Sequence, residues 1–192
     1  MVEEGADPQL RRLITAHPLL FRGTMPAVPS HIPAGWYDLV DRLCTDIEVT
    51  LGPQSCAELE VFQINEKFGT LRFYYSLGEH CDVQVDLVSA DEAMRLVGSG
   101  VANGDRLADN SAESQVRRHV AAACDASGTT CQRCGGRAEL RNPDGWWVTL
   151  CDSDAAAPCC VAFGERLIRA TYARSVWASW PGRGEIVVVL GF

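Results

Sequence analysis

The chain has 192 residues, 47% of them hydrophobic, and a formal net charge of −8 from twenty-five acids against seventeen bases. That much apolar content excludes an intrinsically disordered chain, and the net acidity argues against a phosphate backbone as the main partner. No apolar run approaches the ~20 residues that cross a bilayer, so no membrane span is expected.

The acids are unevenly spread: residues 36–60 and 79–109 are strongly acidic, and 155–192 carry a basic excess. Nine cysteines are present, and the first residues, Met1 to Asp7, are acidic where an export signal is basic and then apolar. A cytoplasmic location with reduced thiols is expected, which turns the cysteine count toward metal ligation rather than disulfides.

Asp7-Pro8 is a capping acid followed by a first-turn proline, and Leu10, Leu13 and Ile14 follow at helical spacing. A short helix to about Ala16 is expected, ended by His17-Pro18. From Leu19 to Gly35 the Pro, Gly and Ser content predicts an extended segment draped over a core, with His31 a surface residue. Trp36, Leu39, Val40, Leu43 and Ile47 define an apolar stripe of about three helical turns whose other face carries Asp38, Asp41, Asp46 and Glu48. Cys44 lies beside the stripe and reads as a small core residue.

After Gly52-Pro53, the stretches Leu59 to Ile64 and Thr70 to Tyr75 are rich in aromatic and branched residues and predict two adjacent strands. Leu71, Phe73 and Tyr75 should share the buried face. Glu66, Lys67, Arg72 and Tyr74 form either a polar site or a solvated sheet face. Val83, Leu87, Ala90, Met94 and Val97 then step at helical spacing, predicting a second acidic helix with Asp86, Asp91 and Glu92. A flexible insertion is expected over 98–112, then a helix from Glu113 to about Ala126 carrying His119 and Cys124.

The strongest signal follows. Cys131 and Cys134 form a CxxC pair trailed by Gly135 and Gly136, Cys151 follows, and Asp154 stands where a second pair would close. This spacing predicts a Zn2+ ribbon with three thiolates and Asp154 as fourth ligand, Cys159, Cys160 or water being the alternatives. Asn142-Pro143-Asp144-Gly145 predicts the hairpin turn between the two halves. Three thiolates lower the Lewis acidity of zinc, so the role expected is structural. Beyond the ribbon, Phe163, Leu167, Ile168 and Tyr172 line a further helix with Arg166, Arg169 and Arg174 on another side. The chain ends on an apolar strand, 185–192, buried in its own sheet or donated to a partner.

No GxSxG elbow, phosphate-binding glycine loop, HExxH or deaminase HxE pattern is present. The runs Gly35 to Cys44 and Gln63 to Tyr75, with CxxCG and Trp147-Val148-Thr149-Leu150-Cys151-Asp152, resemble a widespread family of small uncharacterised phage and bacterial proteins, over residues 19 to 154. The resemblance implies architecture and context but no activity. Members usually carry a histidine three residues after the third cysteine, where this chain has Asp154.

The expected fold is α+β: a small antiparallel sheet packed by helices, with an appended zinc ribbon. Residues 1–126 form the core, 127–158 the ribbon, and 159–192 a C-terminal helix and strand. Three functions are consistent with the chain. The first is a non-enzymatic protein-binding module, an inhibitor or immunity-type protein whose acids at 38, 41, 46, 48, 86, 91 and 92 meet a basic protein. The second is a nucleic-acid-binding ribbon using Arg133, Arg137 and Arg141 with Trp146 and Trp147 as a stacking platform. The third is an enzyme with a polar site at Lys67, Arg72 and Tyr74.

Overall fold

The structure, a computed structural model, describes residues 7–26, 30–77, 80–88, 93–100, 111–143 and 146–157; for 80–88 and 93–100 the description is of the backbone. The fold is α+β. Helix α1 (Pro8–Ala16) starts where the sequence places it, with the Asp7 carboxylate accepting the Gln9 and Leu10 N–H groups and Leu10, Leu13 and Ile14 buried. The second Asp7 oxygen accepts the Ile32 N–H at 3.1 Å and pairs with His31 Nδ1 at 2.5 Å, so one side chain both caps a helix and ties down the following segment. His31 is exposed, as expected.

A single helical turn, α2 (Pro18–Phe21), follows where extended chain was expected; it turns Leu20 and Phe21 into the core. The junction residue His17 is buried, with Nε2 3.1 Å from Asp41 Oδ1 and Nδ1 3.1 Å from Glu48 Oε2. Helix α3 (Tyr37–Cys56) enters through a 3-10 turn at Ala34–Trp36 and carries the foreseen apolar stripe. It runs past the expected stop. Gly52, at φ 67°, kinks it, and Pro53 opens a last turn that buries Cys56, because proline fits the first position of a restarted helix.

Strands β1 (Leu59–Lys67) and β2 (Thr70–Leu77) pair antiparallel through a turn in which Phe68 and Gly69 both take positive φ. Arg22, Ser30 and His31 meet the outer edge of β1: the Ile64 N–H donates to Ser30 Oγ, His31 N–H donates to Ile64 O, and Arg22 reaches the carbonyls of Ala57 and Leu59. Leu71, Phe73 and Tyr75 are buried together, as the alternation requires.

Residues 83–88 and 93–97 form strands where a helix was expected. Strands β3 (His80–Val88) and β4 (Ala93–Gly100) pair from Cys81↔Gly100 to Val88↔Ala93 and extend the sheet in the order β1-β2-β3-β4. Val83, Val85 and Leu87 alternate as well as they step, and the register from Val83↔Gly98 to Val88↔Ala93 gives the stretch its backbone partners in its own second half, while β2 pairs only with His80 and Cys81. The expected insertion shrinks accordingly: Gly98 to Gly100 belong to β4 and Ala112 opens α4 (Ala112–Ser127).

Helix α4 packs on α3 and β2, and α2 packs on β1, closing a core built around Trp36, Phe73, Ile47, Leu59 and Val116. The second sheet is the hairpin β5 (Glu139–Arg141) and β6 (Val148–Leu150), followed by α5 (Asp152–Ala156). The C-terminal helix and strand expected over 159–192 lie outside the described residues. Among the described residues no helix is long and apolar enough to cross a membrane.

Candidate metal centre

Helix α4 ends at Ser127, and an isolated bridge between Thr130 and Arg137 starts the knuckle. Within it the Cys131 N–H donates to Gly136 O at 2.8 Å and the Gly135 N–H to Cys131 O at 3.0 Å. Gly135 takes φ 75°, a left-handed conformation that glycine adopts without penalty. The hairpin β5–β6 then returns the chain, and the Gln132 N–H to Thr149 O bond at 3.0 Å holds the halves together. Cys151 caps α5, its sulfur accepting the Asp154 N–H at 3.4 Å, so the third cysteine orients the helical turn that carries the carboxylate.

One donor atom from each of Cys131, Cys134, Cys151 and Asp154 lies within 4.8 Å of the others. The Cys134 and Cys151 sulfurs are 3.7 Å apart, against roughly 3.8 Å for two thiolates on one tetrahedral ion with ~2.3 Å metal–sulfur bonds. Asp154 Oδ2 is 3.0 Å from the Cys131 sulfur and 3.2 Å from that of Cys151. Four converging donors with thiol-rich chemistry fit a tetrahedral metal ion. The four residues named from the sequence are brought together; Cys159 and Cys160 lie outside the described residues.

Hydrogen bonds within the cluster shift its proton affinities. The Gly136 N–H holds the Cys134 thiolate down, but hydrogen bonds to Asp154, Cys131 and Cys151 outweigh it and the thiol is pushed up to about 12. The same three thiols, with Cys131 first, lower the Asp154 carboxyl, and the Arg133 guanidinium adds to this. A divalent cation would displace those protons and take their place.

The centre is fastened to the core at two places. On one side the Gly35 N–H donates to Gln132 O at 2.9 Å and the Trp36 indole N–H to Thr130 O at 2.7 Å. On the other, the buried Thr149 hydroxyl donates to Gly69 O at 2.6 Å. Gly35 and Gly69 were not singled out in the sequence. Their signal was present in Gly35-Trp36 and Phe68-Gly69-Thr70, but only the fold shows that a second element arrives there.

The remaining candidates are scattered or enclosed. Asp41 and Glu48 are held by His17; Glu48 Oε1 also accepts the Leu20 N–H, and Tyr37 donates to Asp41. Asp38 and Asp46 stay exposed on α3, and Asp86 is registered opposite Arg95 on β3. Asp91 and Glu92 lie outside the described residues. Arg72 is buried, its guanidinium on Thr70 Oγ1 and Leu71 O, so the polar face of β2 is neither open nor solvated there. The Lys67 ammonium rests 5.5 Å over the Phe68 ring.

Of the arginines expected to meet nucleic acid, Arg141 is tied to Asp152, Glu139 and Leu150 O, and Arg137 is in the bridge to Thr130. Trp146 is exposed and Trp147 half-buried. Cys44 is in the core as expected, its thiol raised well above the ordinary value by burial, and burial also raises Cys56. His119 bonds Thr50 Oγ1 and reaches toward Asp46, apart from any thiol cluster among the described residues.

No protein-family model, curated protein or solved structure matches the chain.

Proposed function

We propose that the chain is a non-enzymatic protein-binding module in which Cys131, Cys134, Cys151 and Asp154 hold one structural Zn2+. The observation that supports the metal is the convergence of three sulfurs and one carboxylate within 4.8 Å at tetrahedral spacing. Soft thiolates favour zinc over the hard cations, and four protein donors leave no position for substrate. A metal in this centre would join the end of α4 to the hairpin β5–β6 and, through Gly35 and Gly69, to α3 and the β1–β2 turn.

The reading extends to an inhibitor or immunity-type protein acting on a basic protein through the exposed carboxylates; the family resemblance supplies only a phage and bacterial context. Asp38 and Asp46 serve this role best, since Asp41 and Glu48 are occupied by His17. A nucleic-acid role is second, favoured by exposed Trp146 and opposed by the ion pairs that hold Arg141.

Purification from the native host, with elemental analysis and mass spectrometry of the same sample, tests both parts. One zinc per chain and one dominant basic partner, lost on Asp38→Lys with Asp46→Lys, is the expected result. A metal-free, folded chain would remove the zinc, and nuclease-sensitive co-purification would move the function to nucleic acid.

A further inference from the structure

A groove of about 280 Å³ runs between α1, the first turns of α3 and the knuckle. Arg12 from α1, Arg42 from α3 and Arg133 from the knuckle line it, with Asp38 as its one carboxylate. The Arg12 guanidinium lies 4.1 Å over the Tyr37 ring, which fixes its place on the wall. Arg42 donates Nε to Asp38 O at 3.2 Å, folding back one turn toward the start of the helix and leaving its terminal nitrogens for another acceptor. Arg133 reaches only a backbone oxygen, Asp154 O, at 3.4 Å.

Among the described residues none of these three guanidinium groups forms an ion pair, whereas Arg117 pairs with Glu113 and Arg141 with Asp152 and Glu139. In a chain of net charge −8, three unpaired arginines from three separate elements converge on one groove. The first turn of α3, which no side chain caps, lines the same groove through Tyr37, Asp38 and Leu39.

We propose that this groove is an anion site that takes the dianion of a phosphate monoester. Planar guanidinium forks arriving from several directions match the oxygens of a tetrahedral dianion better than those of a single carboxylate. The volume lies just under the ~300–1,000 Å³ of drug-sized ligand pockets, which suits a phosphoryl group with a small substituent. The site is separate from the carboxylates assigned to a protein partner, apart from Asp38, and does not depend on that partner's identity.

The test is calorimetric titration of the full chain, purified with its metal, with phenyl phosphate and in parallel with inorganic phosphate. Saturable binding at one site per chain is expected, weakened about tenfold or more by Arg12→Gln and again by Arg42→Gln. Arg141→Gln, a control of the same charge change outside the groove, should leave affinity unchanged, and circular dichroism with metal content shows that each variant is folded. Asp38→Asn should tighten binding. Absence of saturable binding would overturn the proposal, as would equal weakening by Arg141→Gln, which would mean general charge attraction. Competition between the two probes at similar affinity identifies the phosphoryl group as the recognised unit; preference for the ester places its substituent in the groove.

Discussion

Gly35 and Gly135 meet backbone to backbone: a Cβ on Gly135 would stand 2.9 Å from Gly35 O, and one on Gly35 only 2.2 Å from Cys131 O and 2.5 Å from Gly135 N. The turn that starts α3 and the turn that carries Cys131 and Cys134 can approach this closely only without side chains. Both partners of a clash at Gly35 are main chain, so nothing flexible can give way. Gly35→Ala should therefore cost about 3 kcal/mol and lower the melting temperature by roughly 6–12 °C for a chain of this size. It should also weaken metal retention, because the knuckle must move. Unchanged melting and metal content in thermal scans would show that the two turns separate freely.

Thr149 and Gly69 make the second attachment. The threonine side chain is fully buried and its hydroxyl is the donor to Gly69 O, while a Cβ on Gly69 would lie 2.2 Å from Leu140 Cδ1. Thr149→Val keeps the shape and removes the donor, leaving a buried carbonyl unsatisfied at a cost of about 1–3 kcal/mol. Denaturant unfolding of the metal-bound protein measures it, and Thr149→Ser should recover most of the loss. Failure of serine to do so would show that the methyl group, which valine keeps and serine lacks, contributes beside the hydroxyl.

Much of this arrangement could be read from residue order, because it is local. Asp7-Pro8 announces the start of α1, the stripe from Trp36 to Ile47 marks the buried face of α3, and Cys131, Cys134 and Cys151 declare their chemistry by spacing. What escaped depends on contacts between distant segments. Residues 83–97 satisfy a period of two and a period near 3.6, and the pairing of 83–88 with 93–98 settles the choice. Asp41 and Glu48 look like solvated helix acids until His17, more than twenty residues earlier, is folded between them. Arg72 alternates outward on β2, yet the surrounding chain buries it.

Half-buried Glu66 lies within electrostatic reach of the buried Arg72. Burial raises the Glu66 carboxyl above its ordinary 4.5, against the opposing pull of the Gly69 N–H, Arg72 and His31. A carboxyl raised in the folded state binds its proton more tightly there than when unfolded. Its contribution is therefore greatest in acid and declines as pH rises from 4.5 through the raised value. Glu66→Gln retains an acceptor for the Gly69 N–H, bonded at 2.6 Å, and removes the titration. The variant should gain stability relative to the parent as pH rises above 4.5. Both proteins carry the same metal centre, so its pH dependence cancels in the difference; parallel stability curves would show that Glu66 is solvated.

Asp154 decides the character of the metal centre. Its carboxylate accepts from Cys131 and Cys151, and those protons must leave before a cation binds. Metal affinity should rise with pH for this reason, and the Cys134 thiol, pushed up to about 12, adds one more proton to displace. Asp154→Ala removes one of four donors and should lower zinc affinity more than tenfold. Asp154→Cys should bind zinc at least as tightly as the parent, since thiolate suits the ion better than carboxylate. Competition with a chromophoric chelator gives the affinities, and cobalt substitution reports the number of sulfurs through its charge-transfer band, which should strengthen from three thiolates to four. Full zinc affinity in Asp154→Ala would instead place Cys159 or Cys160 at the fourth corner, and a double substitution of those two cysteines would then abolish binding that Asp154→Ala alone had spared.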